Sequence, residues 1–281
     1  SWSEKPSAPN ERQVREALGG GRTRGESWRL RPLRPLHDPA FHALKNALDE
    51  LGTIRRATLR FGKYSSRYDE VLAGRRTNIF DCSMASGSLM DIGIYTVEPL
   101  IELFGAPISA CAAASLLDEQ TRGLTGGPID GAGVIVASYP NMIAALHHSK
   151  ITNDCSPSQI EGELGTLVIE GISAPERAYL EMRVIKAAAD TVGYSSAQTS
   201  TREIELPHAD NTMIYELADF HRGSRCHAGG NSLGRGSCGP FGMLAHFHEV
   251  TLASLALMDG ARRTMGVAFP ADEQGGGNGA L

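Results

Sequence analysis

The sequence predicts an α+β fold in which a mainly antiparallel, open sheet carries its helices on one face. Two observations predict it. Short alternating segments separated by turn residues fill residues 108–186, and consecutive strands joined by short turns are antiparallel neighbours. Helical periodicity lies before and after this run, and no β-α-β alternation repeats, so helices and sheet are segregated.

The helices before the sheet have recognisable ends. Asn10 is a plausible N-cap for residues 10–18, and three glycines at 19–21 are predicted to stop that helix. Residues 19–36 carry five arginines and two prolines without a period, which predicts a loop. The apolar spacing from Phe41 to Leu51 predicts a helix, with Gly52 as its C-cap.

The next segments lead into the sheet. Residues 53–62 alternate as a half-buried strand, and residues 62–87 carry few periodic signals and are predicted to be a long excursion. A strong helix is predicted over Ser88–Phe104, closed by Gly105. The strands that follow are predicted over residues 108–115, 131–140, 142–150, 157–163, 166–171 and 177–186.

Turn residues separate these strands and the helices that come after them. Tyr139-Pro140-Asn141 predicts one hairpin turn, and residues 162–165 predict another. Beyond the sheet, helices are predicted over residues 212–221 and 243–263, on either side of a Gly-rich stretch at 223–240. Residues 275–281 are predicted to be a disordered tail on composition.

Composition excludes several classes of protein. Lysine plus arginine number 27 and aspartate plus glutamate 32, so the net charge is −5, and aromatic residues are only 6%. Nucleic-acid binders held by phosphate contacts are usually basic, so a nucleic-acid partner is not expected. No apolar window is long enough to cross a membrane, so no membrane partner is expected either.

The cysteines indicate the compartment. Five are present, no pair is spaced C-x-x-C, and the separations are wide, which disfavours a disulfide framework and a zinc site. Reduced thiols in a cytoplasmic protein are the expectation. The first residues show no secretion signal, and because residue 1 is not Met we expect a fragment or processed product.

Three local motifs give only weak evidence of a cofactor or metal site. The glycine pattern G-x-G-x-x-G occurs at 234–239, but no apolar strand precedes it and Pro240 follows, so a dinucleotide role is not expected. His246 and His248 are two residues apart on a predicted helix and point to different faces. His147 and His148 are neighbours in a strand and face opposite sides. No metal site is predicted.

Asp91 and Tyr95 stand out at the start of the helix that follows Ser86-Gly87-Ser88. Their i, i+4 spacing places both on one helical face. A carboxylate and a phenol presented together can hydrogen-bond a polyol and pass a proton. From the residues alone, structural roles are favoured: Asp91 as a first-turn acid that suits the helix dipole, and Tyr95 as a half-buried aromatic.

The order of motifs resembles the Gfo/Idh/MocA family of oxidoreductases. It begins with Glu4-Lys5-Pro6, and about 85 residues later a run of small residues leads into D-I-G-x-Y at 91–95. Further matching segments are LGTIRRATLRFG at 51–62, DGAGVIVASYPNMIAALHHS at 130–149, QIEGELGTLVIEG at 159–171 and LMDGARRTMGVAFPADE at 257–273. The resemblance covers nearly the whole chain, from Glu4 to about Glu273.

The resemblance implies a function and roles for particular residues. It implies an NAD(P)-dependent oxidoreductase that transfers a hydride to or from a sugar, polyol or related alcohol or carbonyl. Lys5, Asp91 and Tyr95 take the catalytic positions by motif match, with Tyr95 as the proton donor in the reduction direction. The cofactor, NAD or NADP, would be met by Glu4, Lys5, Pro6 and Arg34.

The resemblance also implies a domain organisation. Residues 1–34 would be a remnant of a Rossmann nucleotide-binding domain with an irregular linker, and residues 35–274 the substrate-binding and oligomerisation domain. Because the glycine-rich phosphate turn of the Rossmann domain is missing from these residues, we expect this chain to be an incomplete, inactive form. The alternative is a non-catalytic, truncated relative that acts as a binding or dimerisation module. Strands with apolar residues on both faces predict a homodimer or higher oligomer through the sheet.

Overall fold

The computed structural model describes residues 8–24, 34–117, 119–184, 199–207, 214 and 240–273. Within them an eight-stranded sheet carries helices on one face, which confirms the predicted α+β class. The helices are α1 Glu11–Arg24, α2 Pro39–Ala47, α3 Ser66–Leu72, α4 Ile94–Phe104, α5 Glu119–Thr125, α6 Pro240–Met265 and α7 Pro270–Glu273. The strands are β1 Ile54–Gly62, β2 Ser109–Leu116, β3 Asp130–Ser138, β4 Ile143–Ser149, β5 Ser158–Gly162, β6 Gly165–Glu170, β7 Arg177–Arg183 and β8 Thr199–Glu203.

The sheet order is β2-β3-β4-β1-β5-β6-β7-β8. Every neighbouring pair is antiparallel except β1 and β4, which run parallel with Ala57 opposite Ala144. The expectation that all consecutive strands are neighbours is therefore wrong at one place, because β1 lies between β4 and β5. Ala57 is fully buried and also pairs with Ile160 of β5, so an early apolar strand fills the centre of the sheet.

The predicted turns and caps agree with the structure at several places. Asn10 accepts a hydrogen bond from the backbone N–H of Gln13 at 3.1 Å, as an N-cap does. The hairpin between β3 and β4 closes with Tyr139 N donating to Met142 O at 2.9 Å. Gly52 and Gly105 have positive φ at the ends of their helices, as predicted.

Three predictions of secondary structure are wrong. Helix α1 does not stop at Gly19 but runs to Arg24; each glycine costs a helix about 1 kcal/mol, and packing of Val14 against Leu255 holds the preceding turns. The excursion over 62–87 contains α3 and short 3₁₀ turns. Strand β8 was not predicted, because its residues are all exposed and carry no alternating apolar signal.

Other predictions fall on residues that the structure does not describe. These are the Gly-rich stretch at 223–239, most of the helix predicted over 212–221 and the tail. The last helix is present but begins at Pro240 and ends at Met265. The domain boundary after residue 34 and the Rossmann remnant stay predictions.

The core lies between the sheet and the helices on it. Alternate residues of the central strands point to this side and are buried, while their neighbours face the other, open side of the sheet. Helix α4 contacts β1 and β4, and α6 packs on α4 and β2. The largest fully buried side chains are Phe41, Phe80, Phe269, Leu44, Leu51, Leu59, Leu89, Met90, Leu100, Ile129 and Ile135.

A polar cluster around Arg262 ties α1 to α6 and α7. The guanidinium group donates to Asp272 at 2.7 Å and to Asp259 at 2.7 Å, and lies 4.2 Å from the centre of the Phe269 ring. It also donates to the carbonyl of Pro9 at 3.5 Å. Asp259 in turn accepts from the first amide of α1, at Glu11, at 2.9 Å. The residues at the start of α1 are therefore held by hydrogen bonds to α6, near the end of the described chain.

The helix that carries Asp91 approaches the sheet closely at Gly93. A Cβ at this position would lie 2.8 Å from Leu89 Cδ1 and 3.1 Å from His148 Cγ. Both neighbours are buried, so neither has room to yield. The glycine therefore permits the contact between this helix and β4.

Gly93→Ala should destabilise the protein by about 1–3 kcal/mol, because overpacking outweighs the better helix propensity of alanine. The measurement is the free energy of unfolding in urea. Gly260→Ala is the matched control, because Gly260 lies within α6 and a Cβ there would meet only the Arg263 guanidinium group, at 3.9 Å. The control should be neutral or stabilising, and equal losses in the two variants would contradict the packing argument.

Candidate functional site

A buried carboxylate from the sheet caps the start of the helix that carries Asp91. Asp130, the first residue of β3, accepts the backbone N–H of Leu89 at 2.6 Å and has no solvent exposure. A helix start needs acceptors for its first amides, and a carboxylate also suits the positive end of the helix. Burial raises the pKa of Asp130 to about 6, although bonds from backbone amides favour its charged form.

Gly87 makes room for that carboxylate. Its φ is +122°, and a Cβ there would lie 2.4 Å from Asp130 Oδ1. Ala85, two residues earlier, is left-handed with φ +49°, the sole non-glycine with positive φ among the described residues. The chain at 85–88 is therefore bent sharply against the sheet just before the helix begins.

His148 extends the contact between sheet and helix. Its Nδ1 lies 2.9 Å from Ser88 Oγ and 3.7 Å from Asp130 Oδ2. Burial, with a smaller contribution from His147, lowers the pKa of His148 to about 3, so the ring is neutral. As predicted, His147 and His148 face opposite sides of the sheet.

A third sheet residue reaches Asp91 itself. Lys150, the residue after β4, donates through Nζ to Asp91 Oδ2. The Lys150 side chain is 9% exposed and that of Asp91 30% exposed. Asp130, His148 and Lys150 thus hold the first turn of this helix from one side.

That first turn is a π-helical turn, Leu89–Gly93, and α4 continues from it. Single π turns inside helices are frequent at functional sites, because the wider turn shifts the direction of the side chains. The predicted helix over Ser88–Phe104 is therefore present, but in two geometries.

Asp91 lines a cavity of about 400 Å³. Its other lining residues come from the segment before α1, the turns that follow α3 and the first turn of the helix; they are Ala8, Pro9, Asn78, Ile79, Met84, Ala85, Ser86 and Met90. Asn78, Ser86 and Asp91 are the polar members, and Met84 is 62% exposed at the rim. Mixed apolar walls with a few polar groups are typical of sites for small molecules.

The predicted site residues do not all lie at the cavity. Asp91 lies at the cavity, whereas Tyr95 is not among the described residues that line it; its half-buried ring packs edge-on against Phe61 with centroids 5.5 Å apart. Glu4, Lys5 and Pro6 lie outside the described residues, but Ala8 and Pro9, two and three residues after Pro6, form part of the cavity wall. Arg34 begins a 3₁₀ turn, Arg34–His37.

The histidine pair near the C-terminus is not built as a metal site. His246 lies 2.6 Å from Glu102 Oε2 on the surface. No group of three or more potential ligands that could hold a metal ion occurs among the described residues. None of the helices searched there is long and apolar enough to span a membrane.

Sequence reasoning missed Asp130, His148 and Lys150. The alternation of β4 carried a signal for two of them: His148 and Lys150 are two residues apart, so they share the face of the sheet on which the helix lies. Nothing local indicated that Asp130 caps that helix, because the contact joins residues 41 positions apart.

Comparison with curated proteins finds similar oxidoreductases, and no protein-family model matches the chain. The scyllo-inositol 2-dehydrogenase (NADP(+)) IolU of Bacillus subtilis strain 168 is 30% identical over 273 residues, which cover 96% of this chain and 72% of IolU. The uncharacterized oxidoreductase YgjR of Escherichia coli K12 is 31% identical over 241 residues, which cover 83% of this chain and 60% of YgjR.

Solved structures share the fold. KijD10, a 3-ketoreductase from Actinomadura kijaniata in complex with NADP and TDP-benzene, superposes with a TM-score of 0.68 at 18% identity. The match covers 93% of this chain and 69% of KijD10.

His148→Gln should remove the contribution of this histidine to the dependence of stability on pH. The pKa of His148 in the folded protein is about 3, below the ordinary value of 6.5. Below pH 6.5 the unfolded chain therefore binds a proton at this residue that the folded protein does not bind. The contribution of His148 to the free energy of unfolding is fully present above pH 6.5 and is lost as the pH falls. Asp130 acts in the opposite sense between its ordinary 3.8 and about 6.

The measurement is the free energy of unfolding in urea at pH values between 4 and 7. Since Asp130 is present in both proteins, the difference between wild type and variant isolates the histidine. Between pH 6 and 4 the stability of wild type should fall faster than that of the variant by about 1.4 kcal/mol per pH unit, the value for one proton. Parallel pH profiles would contradict a neutral, buried His148.

Proposed function

The chain belongs to the Gfo/Idh/MocA family of oxidoreductases, and on that basis we propose that it is the substrate-binding part of an NAD(P)-dependent enzyme that oxidises or reduces a sugar, polyol or related compound. The single observation that carries the proposal is the Asp91 carboxylate at the wall of a small-molecule cavity, next to the segment that follows Glu4-Lys5-Pro6.

The lining of the cavity supports a hydroxylated substrate. Asn78 and Ser86 offer amide and hydroxyl groups that donate and accept hydrogen bonds, and Asp91 accepts them. Ile79 and Met90 supply apolar surface for the carbon skeleton. IolU acts on scyllo-inositol, a polyol of this chemical kind, which makes scyllo-inositol the first substrate to test here.

The lining of the same cavity supports a proposed binding position for the cofactor. NADP or NAD, when bound, supplies or accepts the hydride. Lys5 is proposed to lie beside the nicotinamide with Glu4 and Pro6, because Ala8 and Pro9, two and three residues after Pro6, line the cavity. Arg34 is proposed as a further contact to the cofactor. IolU is an NADP(+) enzyme and KijD10 was solved with NADP, which favours NADP.

Three residues of this chain have separate roles in the proposed reaction. Asp91 accepts a hydrogen bond from the substrate and orients the reacting hydroxyl. Tyr95 donates a proton to the carbonyl oxygen in the reduction direction, and Lys5 assists it. Because the Tyr95 ring packs against Phe61, its role requires the hydroxyl end to extend toward the substrate from this contact.

Tyr95→Phe should lower kcat about 10²–10⁴-fold, because proton transfer matters in the transition state. Lys5→Ala should add little to the Tyr95→Phe loss, since groups that act as a unit are not additive. The measurement is NADP-dependent oxidation of scyllo-inositol by the enzyme with its nucleotide-binding domain in place.

Tyr68→Phe is the matched control, because Tyr68 packs against the buried Phe80 and does not line the cavity. It should leave turnover unchanged. Full activity in Tyr95→Phe would assign Tyr95 to packing alone.

The open face of the sheet supports the proposed self-association. Cys111, Val136 and Ala145 lie in register across β2, β3 and β4 on the side away from the helices. Val136 and Ile143 are 39% and 53% exposed, although both are large and apolar. Contiguous exposed apolar surface favours a partner, and a second copy of this chain presents the same face.

Val136→Arg should shift the protein toward monomer, because a charge in the centre of an apolar interface is buried without a partner. Sedimentation velocity at tens of micromolar measures the effect. Leu72→Arg is the control, since Leu72 is 60% exposed on α3, away from the sheet face. A wild-type protein that sediments as a monomer would contradict the proposed interface.

A further inference from the structure

We propose that Lys150 is a positioning residue, which fixes the carboxylate of Asp91 at the cavity and affects the reaction only through Asp91. The catalytic part of this inference rests on the proposed function, whereas the coupling between the two side chains does not.

The first observation is the burial of the lysine. Its side chain is 9% exposed, and Nζ donates to Asp91 Oδ2. An ammonium group taken out of water is costly unless an opposite charge and hydrogen bonds compensate it. The position of the Lys150 head group is therefore tied to that of the carboxylate.

The second observation is that the backbone of Lys150 is held on two sides. Its N–H donates to the carbonyl of Gly131 at 2.8 Å, and its carbonyl accepts from the N–H of Ser65 at 2.9 Å. The next turn is closed by Ser149 and Thr152, whose hydroxyl oxygens are 2.6 Å apart. The lysine thus extends from a fixed point of the sheet.

The third observation is the geometry of the helix at Asp91. Asp91 lies in the middle of the π turn Leu89–Gly93, where the wider winding moves side chains away from their ordinary helical positions. The cap at Asp130 places the backbone of this turn against the sheet. Lys150 contacts the side chain of Asp91 itself, so the carboxylate is placed from two elements.

A hydrogen-bond acceptor that orients a reacting hydroxyl must be held closely, since a misplacement of 1 Å can cost about 10²-fold in rate. A lysine that faces Asp91 from the sheet also places a positive charge beside the carboxylate, whose oxygens accept hydrogen bonds. Both effects pass through Asp91, and this property makes the inference testable.

The first experiment needs no activity. A double-mutant cycle of Lys150→Met and Asp91→Asn is measured by urea unfolding of the full 281-residue chain. Asp91→Asn leaves the buried ammonium group of Lys150 without an opposite charge, and Lys150→Met removes that ammonium group, so the two changes should be coupled by about tenfold or more in the unfolding equilibrium constant.

The control cycle uses an arginine–carboxylate pair on the surface. Arg202 Nη2 lies 2.5 Å from Glu50 Oε2, and the two side chains are 56% and 49% exposed. Exposed pairs contribute little, so Arg202→Met and Glu50→Gln should be coupled by about fivefold or less. Coupling at Lys150 no larger than in this control would overturn the proposal.

The second experiment measures kcat and KM for scyllo-inositol, with NADP, in the enzyme with its nucleotide-binding domain. Lys150→Met should lower kcat/KM about 10–100-fold. In the Asp91→Asn background the same change should have no further effect, and Lys150→Arg, which keeps the charge, should recover part of the loss. A further loss in the Asp91→Asn background, or no recovery by arginine, would overturn the positioning role.

The two experiments separate the possible failures. Absence of turnover in the wild-type enzyme with scyllo-inositol and with other polyols would contradict the proposed function, and the stability cycle would still decide whether Lys150 holds Asp91. If Lys150→Met does not fold, Lys150→Gln takes its place in both cycles.

Discussion

The buried carboxylate of Asp130 receives the first amide of the helical segment that carries Asp91, and the geometry of the cavity depends on this bond. It fixes where the helix begins relative to the sheet, at a bond length of 2.6 Å. Gly87 and Gly93 are required on either side of it, because one leaves space for the carboxylate and the other for the ring of His148. Few other residues are possible at these two positions while the cap remains.

The same constraint explains why several polar groups are buried in this protein. Asp130, His148 and Ser88 are all less than 9% exposed, and burying polar groups stabilises a fold little unless hydrogen bonds satisfy them. Their value here is geometric: they define one orientation of the helix, whereas apolar contacts alone allow it to slide or rotate by small amounts. A cavity wall that depends on a side chain of that helix benefits from this precision.

The local patterns of the sequence predicted most of the sheet and the position of Asp91. Alternating apolar residues identified β1 to β7, since one face of each is buried, and glycines at 52 and 105 identified two helix ends. The central place of β1 could not be predicted, because its pairing with β4 joins residues about 90 positions apart. The π turn and the contacts of Asp130 and Lys150 were missed for the same reason: they depend on neighbours in space that no periodicity records.

The cluster around Arg262 has a consequence for biosynthesis. Pro9 forms part of the cavity wall. Its carbonyl accepts a hydrogen bond from Arg262, which lies 253 positions further along the chain. Asn10 is likewise held by Asp272, 262 positions away. During translation, the residues of the sheet and of the capped helix are therefore made long before the residues that hold this wall of the cavity. Until α6 and α7 have been made, the contacts that hold Pro9 and its neighbour Asn10 are absent, so this side of the cavity is completed after the residues of the sheet have been translated.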